Sequence, residues 1–329
     1  MELAGHSDFW AGRSVLVTGA SGLVGSHLVA ALLALRADVT ALVRDQDHRS
    51  ALFRSGAADR INVVTGTLEQ FPDVERAVAE SGCSVVFHLG AQTIVGVGMR
   101  APLLTFDSNV RGTYNVLEAC RRHSVERVVV ASSDKAYGAS DRPYTEDAPL
   151  RARSPYDVSK AAADLIAQSY HASYGLPVAI LRCGNTYGGG DLNWSRIIPG
   201  TIRSFHHGQP PEIRSDGTYV RDYIYVTDVA AAYCAVAEAL GRPDVAGQAF
   251  NVAAGHDATV LEVVGAIREL MGGSLPEPRI LNTATGEIRE QRLDTSKVRR
   301  LIGWSPRVAL RDGLRDTIAW YRAYLAARS

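Results

Sequence analysis

The chain has 329 residues, 46% of them hydrophobic, and its 35 basic and 35 acidic side chains cancel. That length and apolar content can fill a large core, while zero net charge leaves no global field to draw the chain to nucleic acid or an anionic membrane. A small molecule is the expected partner, and with no basic-apolar leader and no run long enough to span a bilayer the expected location is the cytoplasm.

Apolar, β-branched runs at 14–18, 39–43, 61–64, 84–89, 127–131 and 178–181 alternate with alanine- and leucine-rich helical patterns. Strands alternating with helices predict an α/β chain: a Rossmann-type, doubly wound parallel sheet covered on both faces. Past residue 183 the alternation decays into glycine- and proline-rich stretches, among them Gly188-Gly189-Gly190 and Pro210-Pro211. The expected division is a dinucleotide-binding domain over 1–183 and a smaller C-terminal α/β substrate lobe over 184–329. Strand-like stretches at 219–226 and 249–252 are expected to return to the main sheet. Cys83, Cys120, Cys183 and Cys234 form no C-x-x-C pair and the histidines are scattered, so neither a disulfide framework nor a metal site is expected.

The first strand runs into Gly19-Ala20-Ser21-Gly22-Leu23-Val24-Gly25, a G-x-x-G-x-x-G turn that opens a helix. Glycines there permit a tight turn, close approach of a pyrophosphate and close helix–strand packing, and the helix N-terminus meets the negative charge. Gly19, Ser21, Gly22, Leu23, Val24 and Gly25 are therefore candidate cofactor contacts; an ordinary strand-to-helix turn is the plainer alternative. The second strand ends Val43-Arg44-Asp45. Val43 cannot accept a hydrogen bond from a ribose hydroxyl, whereas Arg44 could hold a 2′-phosphate, which favours NADP; Asp45 leaves NAD open.

The fifth strand delivers Ser132-Ser133-Asp134-Lys135, and Tyr156-Asp157-Val158-Ser159-Lys160 begins a helix. Tyr156 and Lys160, four apart, share one helical face. A nearby ammonium favours phenolate, which would let Tyr156 exchange a proton with a sugar hydroxyl, with Ser133 bonded to the same oxygen.

Taken together, the glycine turn, Ser133 and the Tyr156/Lys160 pair resemble the extended short-chain dehydrogenase/reductase family over essentially the whole chain. The resemblance extends to His88-Leu89-Gly90-Ala91-Gln92, Asn109-Val110-Arg111-Gly112-Thr113, Arg182-Cys183-Gly184-Asn185-Thr186-Tyr187-Gly188 and Arg221-Asp222-Tyr223-Ile224-Tyr225-Val226. It implies a tightly bound, recycled NAD(P) touching Leu68, Leu89, Ala91, Tyr156 and Lys160. It also implies a nucleotide-diphosphate sugar gripped by Gln92, Thr93, Asn185, Asn193, Arg196, Arg221, Arg289 and Arg292, with a surface ion pair the plainer reading of the last two. A homodimer is implied too, through a four-helix bundle built from helices near 109–123 and 155–174. Two departures stand out: Gly66-Thr67 where the family commonly has Gly-Asp, and Gly90-Ala91 where it often has Ala-Ala.

Asp134-Lys135 resembles the acid and base pair of the nucleotide-sugar 4,6-dehydratases, most closely those acting on CDP-glucose. Phe9-Trp10-Ala11-Gly12, Gly188-Gly189-Gly190-Asp191 and Leu293-Asp294-Thr295-Ser296-Lys297 extend that likeness. A C4 ketone acidifies the C5 proton, and 4,6-elimination then needs a base at C5 and an acid at the C6 hydroxyl. The resemblance thus implies Lys135 as base and Asp134 as acid, although adjacent opposite charges pull both pKa values the wrong way. The alternatives are a nucleotide-sugar 4-epimerase in which the pair only orients Ser133, and a non-catalytic NADP-sensing regulator.

Overall fold

A computed structural model describes residues 7–284 and 287–327. The first six expected strands all form: β1 (Ser14–Thr18), β2 (Asp38–Val43), β3 (Asn62–Thr65), β4 (Val85–His88), β5 (Arg127–Ser133) and β6 (Val178–Cys183). With Ala249–Val252 they make a seven-stranded sheet ordered β3-β2-β1-β4-β5-β6-(249–252), and every pairing is parallel. The strand order reverses between β1 and β4, so a crevice opens at their C-terminal ends, where doubly wound sheets bind ligands.

Because successive strand side chains point to opposite faces, β1 feeds both layers. Val15 and Val17 enter the core under helices Leu23–Ala34 and Val226–Ala239, while Leu16 enters the core under Phe71–Ser81 and Gly112–Arg122. All three are fully buried, each contributing about 1.5–3 kcal/mol of transfer free energy.

A second sheet joins Asn185–Tyr187, Val220–Tyr225, Asp257–Thr259 and Glu290–Gln291, and helices Ile197–His206, Val260–Met271 and Leu310–Ala326 share a core with it. One expectation needs correction. The 249–252 stretch returns to the main sheet beside β6, but 219–226 does not: Val220–Tyr225 pairs only within the second sheet. Alternation explains its placement. Ile224 packs into the main core while Tyr223 packs into the other, so the strand is a wall between the two.

Among the described residues no helix is long and apolar enough to cross a membrane.

Candidate active site

The dinucleotide end is shaped by what glycine lacks. Gly19 has φ +71°, and a Cβ on it would lie 2.6 Å from Gly90 N; one on Gly25 would lie 2.1 Å from Gly19 O. Gly22 caps helix Leu23–Ala34 without any side-chain hydrogen bond, which leaves first-turn amides for an anion. This cradle fits a dinucleotide pyrophosphate. Ser21, Leu23 and Val24 line the same turn, half-buried.

The two departures from the family pattern have local causes. Leu68 is wedged between helices and sheet so tightly that a Cβ on Gly90 would lie 2.6 Å from its Cδ1, and one on Gly112 2.8 Å from its Cβ. An alanine at 90 would require the Leu68 side chain to shift. Thr67 has no carboxylate, but Asp73 from the next helix accepts a hydrogen bond from Thr67 N at 2.9 Å.

His88 ties the crevice together. Thr113 donates its only hydroxyl hydrogen to Asn109 O at 2.6 Å, so at 3.0 Å it accepts from His88 Nε2–H. His88 Nδ1 then accepts from Thr18, 2.8 Å away, and the Thr18 oxygen accepts from Gly90 N at 3.0 Å. Burial, with a smaller push from Lys160, drives the imidazole pKa down to about 3. An unfolded histidine protonates near 6.5. The folded chain refuses that proton, so the stability held in neutral His88 is full above about pH 6.5 and is lost as pH falls toward 3. Urea unfolding should show stability dropping from pH 7 to pH 5, with a shallower slope in His88→Asn; equal slopes would remove the assignment.

Helix Pro155–Tyr174 carries the Tyr156/Lys160 pair. Its start is specified locally: Ser154 accepts from Asp157 N and Pro155 occupies the first turn, while Gly175 in the left-handed region ends it. Asn109, in a π-turn at Asp107–Arg111, fixes this helix sideways. It donates to Ser159 Oγ at 2.8 Å and exchanges bonds with the Gln92 backbone.

Ser133, at the end of β5, donates to Asp134 Oδ1 at 3.0 Å and lies near enough to the Tyr156 phenol to favour its ionised form. Asp134 is 3% exposed, and Lys135 Nζ lies 3.8 Å from its Oδ1. Ser133, Asp134, Lys135, Tyr156 and Lys160 thus come together at the C-terminal end of β5. The electrostatics differ from the simple expectation. Burial pushes the Tyr156 phenol up to about 12, and Arg196 is the cation that opposes it. Lys160 instead donates to Ala131 O at 2.9 Å, and burial lowers its own pKa to about 8. Without ligand, desolvation therefore outweighs the effect that sequence spacing assigned to Lys160.

The substrate-side candidates divide. Arg196 is held by Asp191 at 2.9 Å and faces Tyr156. Arg221 donates to Val220 O and Arg289 O. Asn185 buries an Nδ2 with no partner. Gln92 folds its side chain onto Ile94, Thr93 is exposed beside it, and Asn193 is occupied in a turn with Ser195. Arg289 is exposed, and exposed Arg292 pairs with Asp257 at 3.0 Å and Glu290 at 3.3 Å, the surface arrangement of the plainer reading. Leu89 and Ala91 continue β4 into the crevice, half-buried.

Sequence reasoning missed the supports. Asp164 and Arg182 form a buried bidentate pair at 2.8 and 2.9 Å, which locks helix Pro155–Tyr174 to β6. Asp222 accepts from Ala254 N and Gly255 N, both at 2.7 Å, and burial raises its pKa to about 6. Their motif positions were visible, but their partners lie far off in the chain.

Residues 15–253 match the model of the NAD dependent epimerase/dehydratase family. The chain belongs to that family. It is 32% identical to a dTDP-glucose 4,6-dehydratase of Streptomyces griseus, covering 94% of both chains. It is 33% identical to UDP-glucose 4-epimerase 3 of Oryza sativa subsp. japonica, covering 94% of this chain and 90% of the other. A solved dTDP-glucose 4,6-dehydratase of Streptomyces venezuelae with NAD bound superposes with a TM-score of 0.86 at 31% identity, covering 94% and 97% of the two chains.

Proposed function

We propose that this family member is a nucleotide-sugar 4,6-dehydratase, which turns an NDP-hexose into its 4-keto-6-deoxy derivative. The observation that carries the reading is the buried Asp134 carboxylate with the Lys135 ammonium 3.8 Å away, both beside Ser133 and Tyr156. Gly19, Gly22, Gly25, Leu68, Leu89 and Ala91 would hold the dinucleotide. When bound, the nicotinamide would supply reversible hydride acceptance, at C4 in oxidation and at C6 in reduction. Tyr156, as the phenolate that Arg196 and Ser133 favour, takes the C4 hydroxyl proton. Once the ammonium passes its extra proton to the Asp134 carboxylate, the neutral Lys135 amine takes the C5 proton and Asp134 protonates the departing C6 hydroxyl, which restores the charged pair, with Lys160 holding the β5 carbonyl beside them. Asn185, Arg196 and Arg221 are the donors we assign to the diphosphate.

The 4-epimerase reading also has an observation behind it: the Ser133–Asp134 hydrogen bond would exist if the acidic residue only oriented the serine. Incubation with CDP-, dTDP-, GDP- and UDP-glucose and with GDP-mannose, read by mass spectrometry, separates the two. A product lighter by one water is expected; a product of unchanged mass would overturn the dehydratase.

Cofactor preference turns on Arg44. Its Nε lies 2.6 Å from Asp45 Oδ2 in an exposed pair, which offsets the charge a 2′-phosphate would meet. Relatives solved with NAD point the same way, so we put NAD ahead of the NADP that Arg44 alone suggested. Asp45→Asn should tighten NADP binding about threefold, a surface ion pair's worth, and leave NAD unchanged. No change for either cofactor would remove Arg44 from the discrimination.

We also propose a homodimer. Tyr114 and Leu165, at 40% and 56% exposure, leave apolar side chains on the helices expected to form the bundle, and Leu103, 72% exposed, stands on the short helix Pro102–Phe106 before them. Sedimentation should give a dimer, with Leu165→Asp shifting it to monomer; a wild-type monomer would end the idea.

A further inference from the structure

We propose that Gln291 is a positioning and specificity-determining residue: its Oε1 steers the Lys135 ammonium, and its amide nitrogen donates to an acceptor oxygen on the hexose of the bound nucleotide sugar. The inference rests on the nucleotide-sugar reading above.

Gln291 is 3% exposed, yet its Nε2 has no hydrogen-bond partner. Leaving a buried amide donor without an acceptor is destabilising, and a leucine or methionine would fill similar space without that cost. A donor kept at such a position awaits an acceptor. The other end of the same amide identifies where. Its Oε1 stands 3.5 Å from Lys135 Nζ, which itself stands 3.8 Å from Asp134 Oδ1, so the ammonium sits between an amide oxygen and a carboxylate.

Strand register supplies a second, independent line. Gln291 pairs with Arg221 and Asn185 pairs with Tyr223. Paired residues in a sheet share a face, and Arg221 and Tyr223 are two apart, so Gln291, Arg221 and Asn185 leave the same face of the second sheet. Asn185 is also a buried amide with an unpartnered Nδ2. Two waiting amide donors and a guanidinium on one face match an oxygen-rich ligand. Glu290 and Arg292, on either side of Gln291, are exposed and pair with surface charges. Gln291 alone of these three is turned toward Lys135.

The test uses the full chain with its cofactor. Gln291→Leu removes both contacts; Gln291→Glu keeps an acceptor for Lys135 and deletes the donor. Calorimetric affinity for dTDP-glucose and UDP-glucose should weaken about tenfold in both variants, the size of one hydrogen bond to substrate. Turnover should fall about tenfold in Gln291→Leu because Lys135 is no longer steered. In Gln291→Glu the rising limb of kcat against pH should move to higher pH, since a carboxylate favours the charged ammonium. Thermal unfolding checks folding; if Gln291→Leu does not fold, the near-isosteric Gln291→Glu carries the same test. Affinity and turnover within about twofold of wild type in a folded variant would overturn the proposal. If wild type releases no dehydrated product, the dehydratase reading falls instead, and the affinity comparison still decides the Gln291 donor.

Discussion

Asp134→Asn should stop release of a dehydrated sugar while leaving C4 oxidation intact. Asparagine has the same shape and can still accept from Ser133 Oγ, now 3.0 Å from Asp134 Oδ1, so the Ser133–Tyr156 contact and the fold should survive. What disappears is the proton that the carboxyl would deliver to the C6 hydroxyl. Losing a positioned general acid costs about 10²–10⁴ in rate. The readouts are the mass of the released sugar and the absorbance of reduced nicotinamide, which should build up when elimination stalls. Undiminished formation of the lighter product would refute the acid assignment and leave Asp134 as a partner for Ser133 alone.

Tyr156→Phe should abolish both half-reactions. The ionised Tyr156 oxygen is the group beside Ser133 that can take the C4 proton, and its removal is expected to cost about 10³-fold or more in turnover. Binding of the nucleotide sugar should change little, because the buried ring and the helix that carries it remain. The pH profile carries a sign as well. Lys160 loses its proton near 8, so kcat/KM should fall above about pH 8 if the ammonium supports the phenolate. Lys160→Met should be slow at every pH and lack that limb. A Tyr156→Phe enzyme with more than about a tenth of wild-type turnover would mean that another group takes the proton.

Much of the site was legible as motifs. Ser133, Tyr156 and Lys160 come from one strand end and one helical turn, so their mutual placement follows once β5 and the helix at Pro155–Tyr174 are recognised. The glycine turn was equally local: Gly19 at φ +71° is a backbone requirement that writes itself into the residue type. Arg44 left NAD and NADP both open for a related reason. Its neighbour in sequence, Asp45, is also its partner in space, and the pair's geometry decides how much charge is left to recruit a phosphate.

Gln291 and Arg196 were different. Arg196 was read as a substrate contact, and nothing in the chain order tells that it faces Tyr156. Gln291 lay unmarked between two arginines that looked more useful, Arg289 and Arg292. Only the pairing of Glu290–Gln291 with Val220–Tyr225 decides that 291 turns inward and 292 outward. A shift of one residue in that register would exchange them.

By itself, the sequence determined the α/β class, the parallel sheet, the dinucleotide turn and the Ser133–Tyr156–Lys160 set, because periodicity, capping and glycine conformation act over a few residues. Tertiary structure alone decided that Val220–Tyr225 belongs to the second sheet and that His88 is neutral. It alone decided that burial, more than Lys160, governs the Tyr156 phenol. Those outcomes depend on desolvation and on partners distant in sequence, and both come into being only when the chain has packed.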